Sequence, residues 1–217
     1  MKTDAELKKD VEAELDYEPS VDSTHIGVTV KDGVVTLTGH VASYAERWRA
    51  EEAAKRVYGV AAIANELDVK LPGISERTDD DLAAACAAAL KSTWSGPADK
   101  VKAVVSHGFV ELVGEVEWQY QKTAAELAIR DIIGIRGVTN HITVKPRVSP
   151  TDVQQKIVEA LKRSAELDAR RISVDTSDGT VILRGSVRAW VERQEAEQAA
   201  WAAPGVKAVQ NQITIAS

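Results

Sequence analysis

Residue types that carry catalysis or bind metals are sparse in this chain. Among 217 residues there is one cysteine, Cys86, which excludes an internal disulfide. The four histidines have no His, Cys or acidic partner at the short spacings typical of metal sites: His25, His40, His107 and His141. We therefore expect no metal and no cofactor.

Two glutamates lie early in alanine-rich segments, where an acid could act in catalysis. Glu46 and Glu192 have no second carboxylate or histidine in register with which to share a proton. Ser43 stands three positions before Glu46, which is the spacing of a helix-capping box. We expect both glutamates to cap helices, and we expect the chain not to be an enzyme.

One sequence unit occurs three times, and its matched positions keep a fixed offset from copy to copy. The segments VTLTG, VELVG and VILRG end at three equivalent glycines: Gly39, Gly114 and Gly185. An asparagine follows each glycine at one constant spacing: Asn65, Asn140 and Asn211. These matches predict three domains, with boundaries at 1–72, 73–148 and 149–217.

Each repeat has the pattern α-β-β-α-β. The first helix is predicted from a cap residue with an acid three positions later: Thr3 and Glu6, Thr78 and Asp81, Ser149 and Asp152. Pro150 suits the first helical position. Alternating apolar segments flank Asp-Gly or His-Gly and indicate a hairpin, and an alanine-rich helix and a third strand follow. The predicted class is α+β, with two helices on one face of each three-stranded sheet.

The repeated residues are of structural types. We expect Gly39, Gly114 and Gly185 to allow a turn with positive φ, and the three asparagines to tie a loop to backbone through an Asx hydrogen bond. Cys86 takes the place of Val11 and Ile157 on the apolar stripe of the first helix. It is therefore expected to be a small buried side chain rather than a nucleophile.

The five tryptophans lie outside the shared apolar pattern: Trp48, Trp94, Trp118, Trp190 and Trp201. Trp48 and Trp201 are predicted on the outer face of the second helix, away from its alanines. Large aromatic side chains that face away from the core of their own domain usually pack against another domain or a ligand. The partner is either a neighbouring repeat or an external ligand, lipid headgroup or protein.

Charge differs between the repeats. The chain carries a net charge of −6, divided as −5, −1 and 0 over the three predicted domains. An anionic bilayer would repel the first repeat, so lipid binding would fall to the third, with Arg170, Arg171, Arg184, Arg188 and Arg193. Arg170, Arg171 and Arg188, with Trp48 and Trp201, form the candidate contact surface; the alternative is an ordinary solvated surface.

Nucleic-acid binding and a membrane span are not expected. The acidic balance opposes phosphate contacts, although Gly134-Ile-Arg-Gly137 has the GxxG spacing of a loop that clamps nucleic-acid backbones. No segment approaches the roughly 18 apolar residues of a membrane-spanning helix. No apolar leader is seen after Met1, which favours the cytoplasm, or the periplasm if a leader had been removed.

The repeats resemble the BON domain. The first repeat carries VTLTGHVASYAERWRAEEAAKRVYGVAAIANEL and the third GTVILRGSVRAWVERQEAEQAAWAAPGVKAVQNQI. The second departs from the pattern with Gln121-Lys122 and Gly134-Ile135. The resemblance implies a bacterial osmotic-stress or envelope-associated protein that binds phospholipid or another envelope component without catalysis. The alternative is a cytoplasmic protein–protein interaction scaffold without lipid affinity.

Overall fold

Three successive α-β-β-α-β units make up the computed structural model, which describes residues 2–146, 152–164 and 171–215. The first unit has α1 (Asp4–Tyr17), β1 (Ile26–Lys31), β2 (Val34–Val41), α2 (Tyr44–Arg56) and β3 (Ala62–Val69). The second has α3 (Asp79–Ser92), β4 (Val101–Ser106), β5 (Phe109–Val116), α4 (Gln119–Arg130) and β6 (Gly137–Val144). The third has α5 (Val153–Arg163), β7 (Ile172–Ser177), β8 (Thr180–Val187), α6 (Trp190–Trp201) and β9 (Ala208–Ile215). The predicted α+β class is confirmed.

The first helices of repeats 1 and 2 begin as predicted. The N–H of Glu6 donates to Thr3 Oγ1 at 3.3 Å, and the Thr3 N–H donates to the Glu6 carboxylate at 2.8 Å. In repeat 2 the Asp81 N–H donates to Thr78 Oγ1 at 3.2 Å. Each cap satisfies a backbone donor that the first helical turn leaves without an intrahelical partner.

The prediction for the start of α5 is wrong at Asp152. That residue was expected inside the helix, but it has φ of 54° and directly precedes Val153, the first helical residue. A left-handed backbone cannot belong to a right-handed helix. The predicted cap Ser149 and Pro150 lie outside the described residues.

Each sheet has three strands, with the second strand of the hairpin in the middle. In repeat 2, β5 pairs antiparallel with β4 and parallel with β6, and β8 does the same with β7 and β9 in repeat 3. Both hairpin residues have positive φ in all three repeats, as a two-residue type I′ turn requires: Asp32-Gly33, His107-Gly108 and Asp178-Gly179.

The core of repeat 3 shows why two helices share one face of the sheet. Alternate residues of β8 point to one side, and Val181, Leu183 and Val187 on that side are buried. They form one cluster with side chains from both helices, including Ile157 of α5 and Ala200 of α6. The small alanines let α6 approach the sheet closely.

The chain divides into two compact units. One comprises Met1–Thr38, Ala50–Glu66 and Pro146–Ser217, and the other comprises Gly39–Arg49 and Leu67–Lys145. Repeat 3 therefore belongs to the first unit and nearly all of repeat 2 to the second. Repeat 1 contributes residues to both.

Candidate contact surface

The three repeated glycines have the expected positive φ, but they lie inside strands, so the predicted turn is wrong. Their φ angles are 113° at Gly39, 145° at Gly114 and 138° at Gly185. A Cβ on Gly114 would be 2.0 Å from the carbonyl oxygen of Lys100, and one on Gly185 would be 1.9 Å from that of Arg171. Glycine is required at these two positions by backbone conformation and by the close approach of another chain segment.

The repeated asparagines bond to backbone, and Asn140 and Asn211 make the predicted Asx hydrogen bond, but they lie in strands rather than in a loop and they also join the strand to a helix. Asn140 in β6 donates from Nδ2 to the carbonyl of Lys122 at 2.9 Å and to the Glu126 carboxylate at 3.1 Å, both in α4. Its Oδ1 accepts the N–H of Ile142 at 3.2 Å. Since β6 is an edge strand, this last bond covers a donor that the sheet does not pair.

The partner of this asparagine is a repeated glutamate that sequence reasoning missed. Asn65 donates to Glu51 at 3.0 Å and Asn211 to Glu197 at 2.9 Å, in the same arrangement as in repeat 2. In every repeat the glutamate and the asparagine keep the same separation in sequence. That constant spacing was visible in the sequence, although nothing local indicated a contact.

The glutamates considered as acids cap helices, as predicted. Glu46 accepts the N–H of Ala42 at 2.8 Å, and its own N–H donates to Ser43 Oγ at 3.1 Å. Glu192 accepts the N–H of Arg188 at 2.9 Å. Their carboxylates are therefore engaged with backbone at the starts of α2 and α6.

In repeats 1 and 2, an aspartate in the first turn of the first helix accepts hydrogen bonds from the hairpin turn. Asp79 accepts the N–H groups of His107 at 2.8 Å and Gly108 at 2.9 Å, and Asp4 accepts those of Asp32 and Gly33 in repeat 1. The N–H groups of Gly108 and His107 hold the pKa of Asp79 below its usual value. The equivalent position in repeat 3 is Pro150, which has no carboxylate.

Trp48 contacts repeat 2. The Arg130 guanidinium lies over the Trp48 ring, 4.1 Å from its centroid, and Arg49 pairs with Asp131 at 3.1 Å. The contact joins α2 to the end of α4. A cation stacked on a half-buried indole is stabilising by roughly 1 kcal/mol.

Trp190 has a similar contact with repeat 1. Lys55 Nζ lies 5.8 Å from the centroid of the Trp190 ring, and Arg193 of the same helix lies 5.4 Å from it. Lys55 also pairs with Glu51 at 2.7 Å and Glu52 at 2.8 Å. Those carboxylates raise the pKa of Lys55 against the lowering effect of its burial, so its charge is retained.

Two other tryptophans differ from the expectation. Trp94 is buried, with 5% of its surface exposed, and its Nε1 donates to the Gln121 carbonyl at 2.9 Å. Trp201 packs against the core of its own repeat. The prediction that Trp201 points away from that core is wrong, because its half-buried side chain packs against the cluster.

The arginines of repeat 3 lie in different surroundings. Arg184 pairs with Asp175 and donates to Gln212 at 3.0 Å, and Arg193 donates to the carbonyls of Asn211 and Ile213, each at 3.2 Å. Arg171 and Arg188 are exposed. Arg170 lies outside the described residues.

Arg171 and Arg188 lie at the same end of the third sheet. Ile172 pairs with Gly185, so Arg171, which precedes β7, stands beside the last residues of β8. Arg188 directly follows Val187, the last residue of β8. The two cations are therefore presented together where β7 begins and β8 ends.

A cavity of about 280 Å³ in repeat 2 includes part of the GxxG segment in its lining. Arg77 and Arg136 contribute positive charge to it, and Glu76 and Asp79 contribute negative charge. Arg136 lies 3.9 Å from Glu76. The balanced charges give this cavity no preference for an anionic ligand.

Neither a metal-binding group of side chains nor a membrane-spanning helix is found in the described part of the chain. Across residues 2–146, 152–164 and 171–215, no three His, Cys, Asp or Glu side chains are grouped so that they could hold a metal ion. In the same ranges, no helix has the length and apolarity needed to cross a membrane.

Cys86 is expected to be inert in the folded protein. It lies on the buried face of α3, and burial raises the pKa of its thiol to about 11, so almost no reactive thiolate is present at neutral pH. Cys86→Val is expected to cost less than about 1.5 kcal/mol, as a nearly volume-conserving change. Thiol labelling with and without denaturant measures the reactivity, and rapid labelling of the native protein would contradict this assignment.

The model of the BON domain matches residues 3–70, 78–146 and 149–217. The chain belongs to the BON domain family. The three matches coincide with the three α-β-β-α-β units, so each unit is one BON repeat. The boundaries at 1–72, 73–148 and 149–217 stay a prediction.

One curated relative is osmotically-inducible protein Y of Escherichia coli (strain K12). It is 30% identical over 146 residues, which cover 65% of this chain and 73% of the relative. Two solved structures of CdsD, a structural protein of the type III secretion system of Chlamydia trachomatis, are 13% and 14% identical, with TM-scores of 0.27 and 0.28. The first covers 96% of this chain and 91% of its own, and the second, a C-terminal domain, covers all of both.

Proposed function

We propose that this chain is a non-catalytic binding protein of the bacterial envelope, which associates with anionic phospholipid under osmotic stress. The observation that carries the proposal is the match of three BON repeats together with a relative named for osmotic induction. The repeated residues support binding over catalysis, because the glycines, asparagines and capping glutamates are all engaged in structural contacts.

Charge and geometry favour repeat 3 as the membrane-facing part. Its net charge is 0 against −5 for repeat 1, so an anionic surface repels it least. Arg171 and Arg188 are exposed at one end of its sheet. A basic side chain close to an anionic bilayer contributes about 1 kcal/mol to binding.

Removing the two arginines tests this proposal. Arg171→Ala with Arg188→Ala is expected to weaken binding to phosphatidylglycerol vesicles by about 2 kcal/mol, or roughly 30-fold, because both headgroup contacts are lost. Raising the salt concentration should weaken wild-type binding as well. Co-sedimentation with vesicles of anionic and of zwitterionic headgroups measures both effects.

Repeat 1 supplies the matched control. Lys8→Ala with Lys9→Ala removes the same charge from two exposed positions of α1 and should leave vesicle binding within about twofold of wild type. If the arginine variant binds as well as wild type, repeat 3 is not the membrane-facing part. If wild type binds neither kind of vesicle, the lipid proposal fails and a protein scaffold is favoured.

A further inference from the structure

The hairpin turns of the three repeats share one backbone conformation. The φ angles of the two turn residues agree closely: 52° and 76° in Asp32-Gly33, 53° and 81° in His107-Gly108, and 50° and 83° in Asp178-Gly179. We call the N–H groups of these two residues the turn donors of their repeat. Two successive N–H groups in such a turn form a concave pair of donors that favours an anion.

In repeats 1 and 2 the turn donors bind a carboxylate. Asp4 accepts those of repeat 1 at 3.0 and 3.2 Å, and Asp79 accepts those of repeat 2 at 2.8 and 2.9 Å. The turn donors also lower the pKa of Asp79, so they favour its charged form. The partner that suits this turn is therefore an ionised carboxylate.

Repeat 3 keeps the turn donors, but the chain supplies no carboxylate to them. The residue equivalent in sequence to Asp4 and Asp79 is Pro150, and α5 begins only at Val153, whereas α1 and α3 begin at the aspartate itself. Among the residues that the structure describes, none accepts a hydrogen bond from either turn donor of repeat 3. Gly179 is buried, and a buried N–H group without an acceptor costs free energy comparable to that of a lost hydrogen bond.

A lysine supplies positive charge beside this turn. Lys207 donates its N–H to the Gly179 carbonyl at 2.8 Å, and its side chain passes over Gly179, where a Cβ would be 3.1 Å from the Lys207 Cγ and Cδ. Lys207 is exposed, and no carboxylate in the described ranges pairs with it. The carboxylate of Asp178 does not exclude an anion, since Asp32 has the same position in repeat 1, where Asp4 binds.

We propose that the hairpin turn of repeat 3 is a carboxylate-binding site, in which the N–H groups of Asp178 and Gly179 and the ammonium group of Lys207 bind an ionised carboxylate from outside the chain. The ligand takes the place that the aspartate side chain has in repeats 1 and 2. The site lies at the opposite end of the third sheet from Arg171 and Arg188, because the turn joins the end of β7 to the start of β8. It therefore does not depend on lipid binding.

A titration of the full chain with sodium acetate, followed by NMR of the backbone amides, tests the proposal. The amide signals of Asp178 and Gly179 should shift with a dissociation constant on the order of millimolar. Sodium chloride at the same ionic strength should bind about tenfold more weakly, because a carboxylate offers one oxygen to each N–H group. The amides of Gly33 and Gly108 are already bonded to aspartates and should not respond. Acetate shifts no larger than the chloride shifts would overturn the proposal.

Two variants test the donors and the lysine separately. Asp4→Ala removes the carboxylate from repeat 1, so the amide of Gly33 should then respond to acetate as that of Gly179 does. Lys207→Gln should weaken acetate binding roughly threefold, which is the scale of an exposed ion pair. Lys162→Gln, at an exposed lysine of the same repeat, should leave it unchanged. The dispersion of the amide signals shows whether each variant is folded, and a silent Gly33 in the folded Asp4→Ala protein would contradict the role given to the turn donors.

A peptide identifies the source of the carboxylate. The probe is the capped peptide Thr-Asp-Ala-Glu, the sequence of residues 3–6, which carries the aspartate that repeat 1 uses. Binding about tenfold tighter than that of acetate would indicate an acidic segment of a partner protein, and equal binding would indicate a free carboxylate. Either result supports the site, whereas no response of Asp178 and Gly179 to peptide and acetate alike would refute it.

Discussion

Gly114→Ala is expected to unfold the second BON repeat. The new Cβ would lie 2.0 Å from the carbonyl oxygen of Lys100, and the residue would keep a φ of 145°, which L side chains rarely adopt. Backbone strain of this kind costs about 1–3 kcal/mol, and the overlap with backbone adds to it. A domain of this size is marginally stable, so a loss of about 3 kcal/mol or more removes its folded state.

Hydrogen exchange resolved by peptide measures this loss repeat by repeat. Amides of β4 and β5 should lose protection, while those of β7 and β8 in repeat 3 should keep most of theirs. Gly73→Ala is the matched control, because nothing lies within 4 Å of a Cβ there and its φ is ordinary. Equal protection in Gly114→Ala and wild type would show that the strand can shift to admit a side chain.

Asn140→Ala is expected to destabilise repeat 2 by about 2–3 kcal/mol, because it removes two hydrogen bonds to α4 and leaves the N–H of Ile142 without its acceptor. Leaving partly buried polar groups unpaired costs more than the bonds themselves contribute. Denaturant unfolding, monitored by hydrogen exchange resolved by peptide, gives the free energy of unfolding of this repeat separately. A single global transition would not separate the repeats.

Two further variants test how Asn140 stabilises the repeat. Glu126→Ala removes its helix partner, and Thr139→Ala is the control in the same strand. Glu126→Ala, alone and with Asn140→Ala, forms a double-mutant cycle, and the coupling should be about 0.5 kcal/mol or more because the two side chains bond directly. Thr139→Ala, at an exposed position in the same strand, should cost less than about 1 kcal/mol. A coupling near zero would mean that the asparagine acts through Ile142 alone.

Short-range sequence patterns, which recur in all three repeats, were sufficient to predict the helices and strands. The Thr3 and Thr78 caps, the Asp32-Gly33 hairpin and the alternation of Val181 and Leu183 each depend on residues a few positions apart. Their repetition at fixed offsets made the three BON repeats recognisable. The capping role of Glu46 was predictable for the same reason, since its partners Ala42 and Ser43 are close to it in sequence.

The candidate surface was less predictable, because its side chains meet across long separations in sequence. Arg130 and Trp48 come from different repeats, and so do Trp190 and Lys55. Helical periodicity indicates which side of α2 a tryptophan occupies, but not which repeat it meets. The same periodicity placed Trp201 outward, whereas packing turned it against its own core.

The sequence alone determined the three-fold repetition, the order of elements in each repeat, the burial of Cys86 and the distribution of charge, because composition and short-range spacing encode these properties. The sequence also predicted the positive φ of the glycines and the Asx bonds of the asparagines, but only the tertiary structure showed which distant groups these residues meet. Gly114 is required by the carbonyl of Lys100, which approaches it from the start of the neighbouring strand, and Asn140 by the backbone of Lys122 in α4. The tertiary structure also brought Arg171 and Arg188 to one end of the third sheet, since strand register, not residue type, determines which charges a partner meets together.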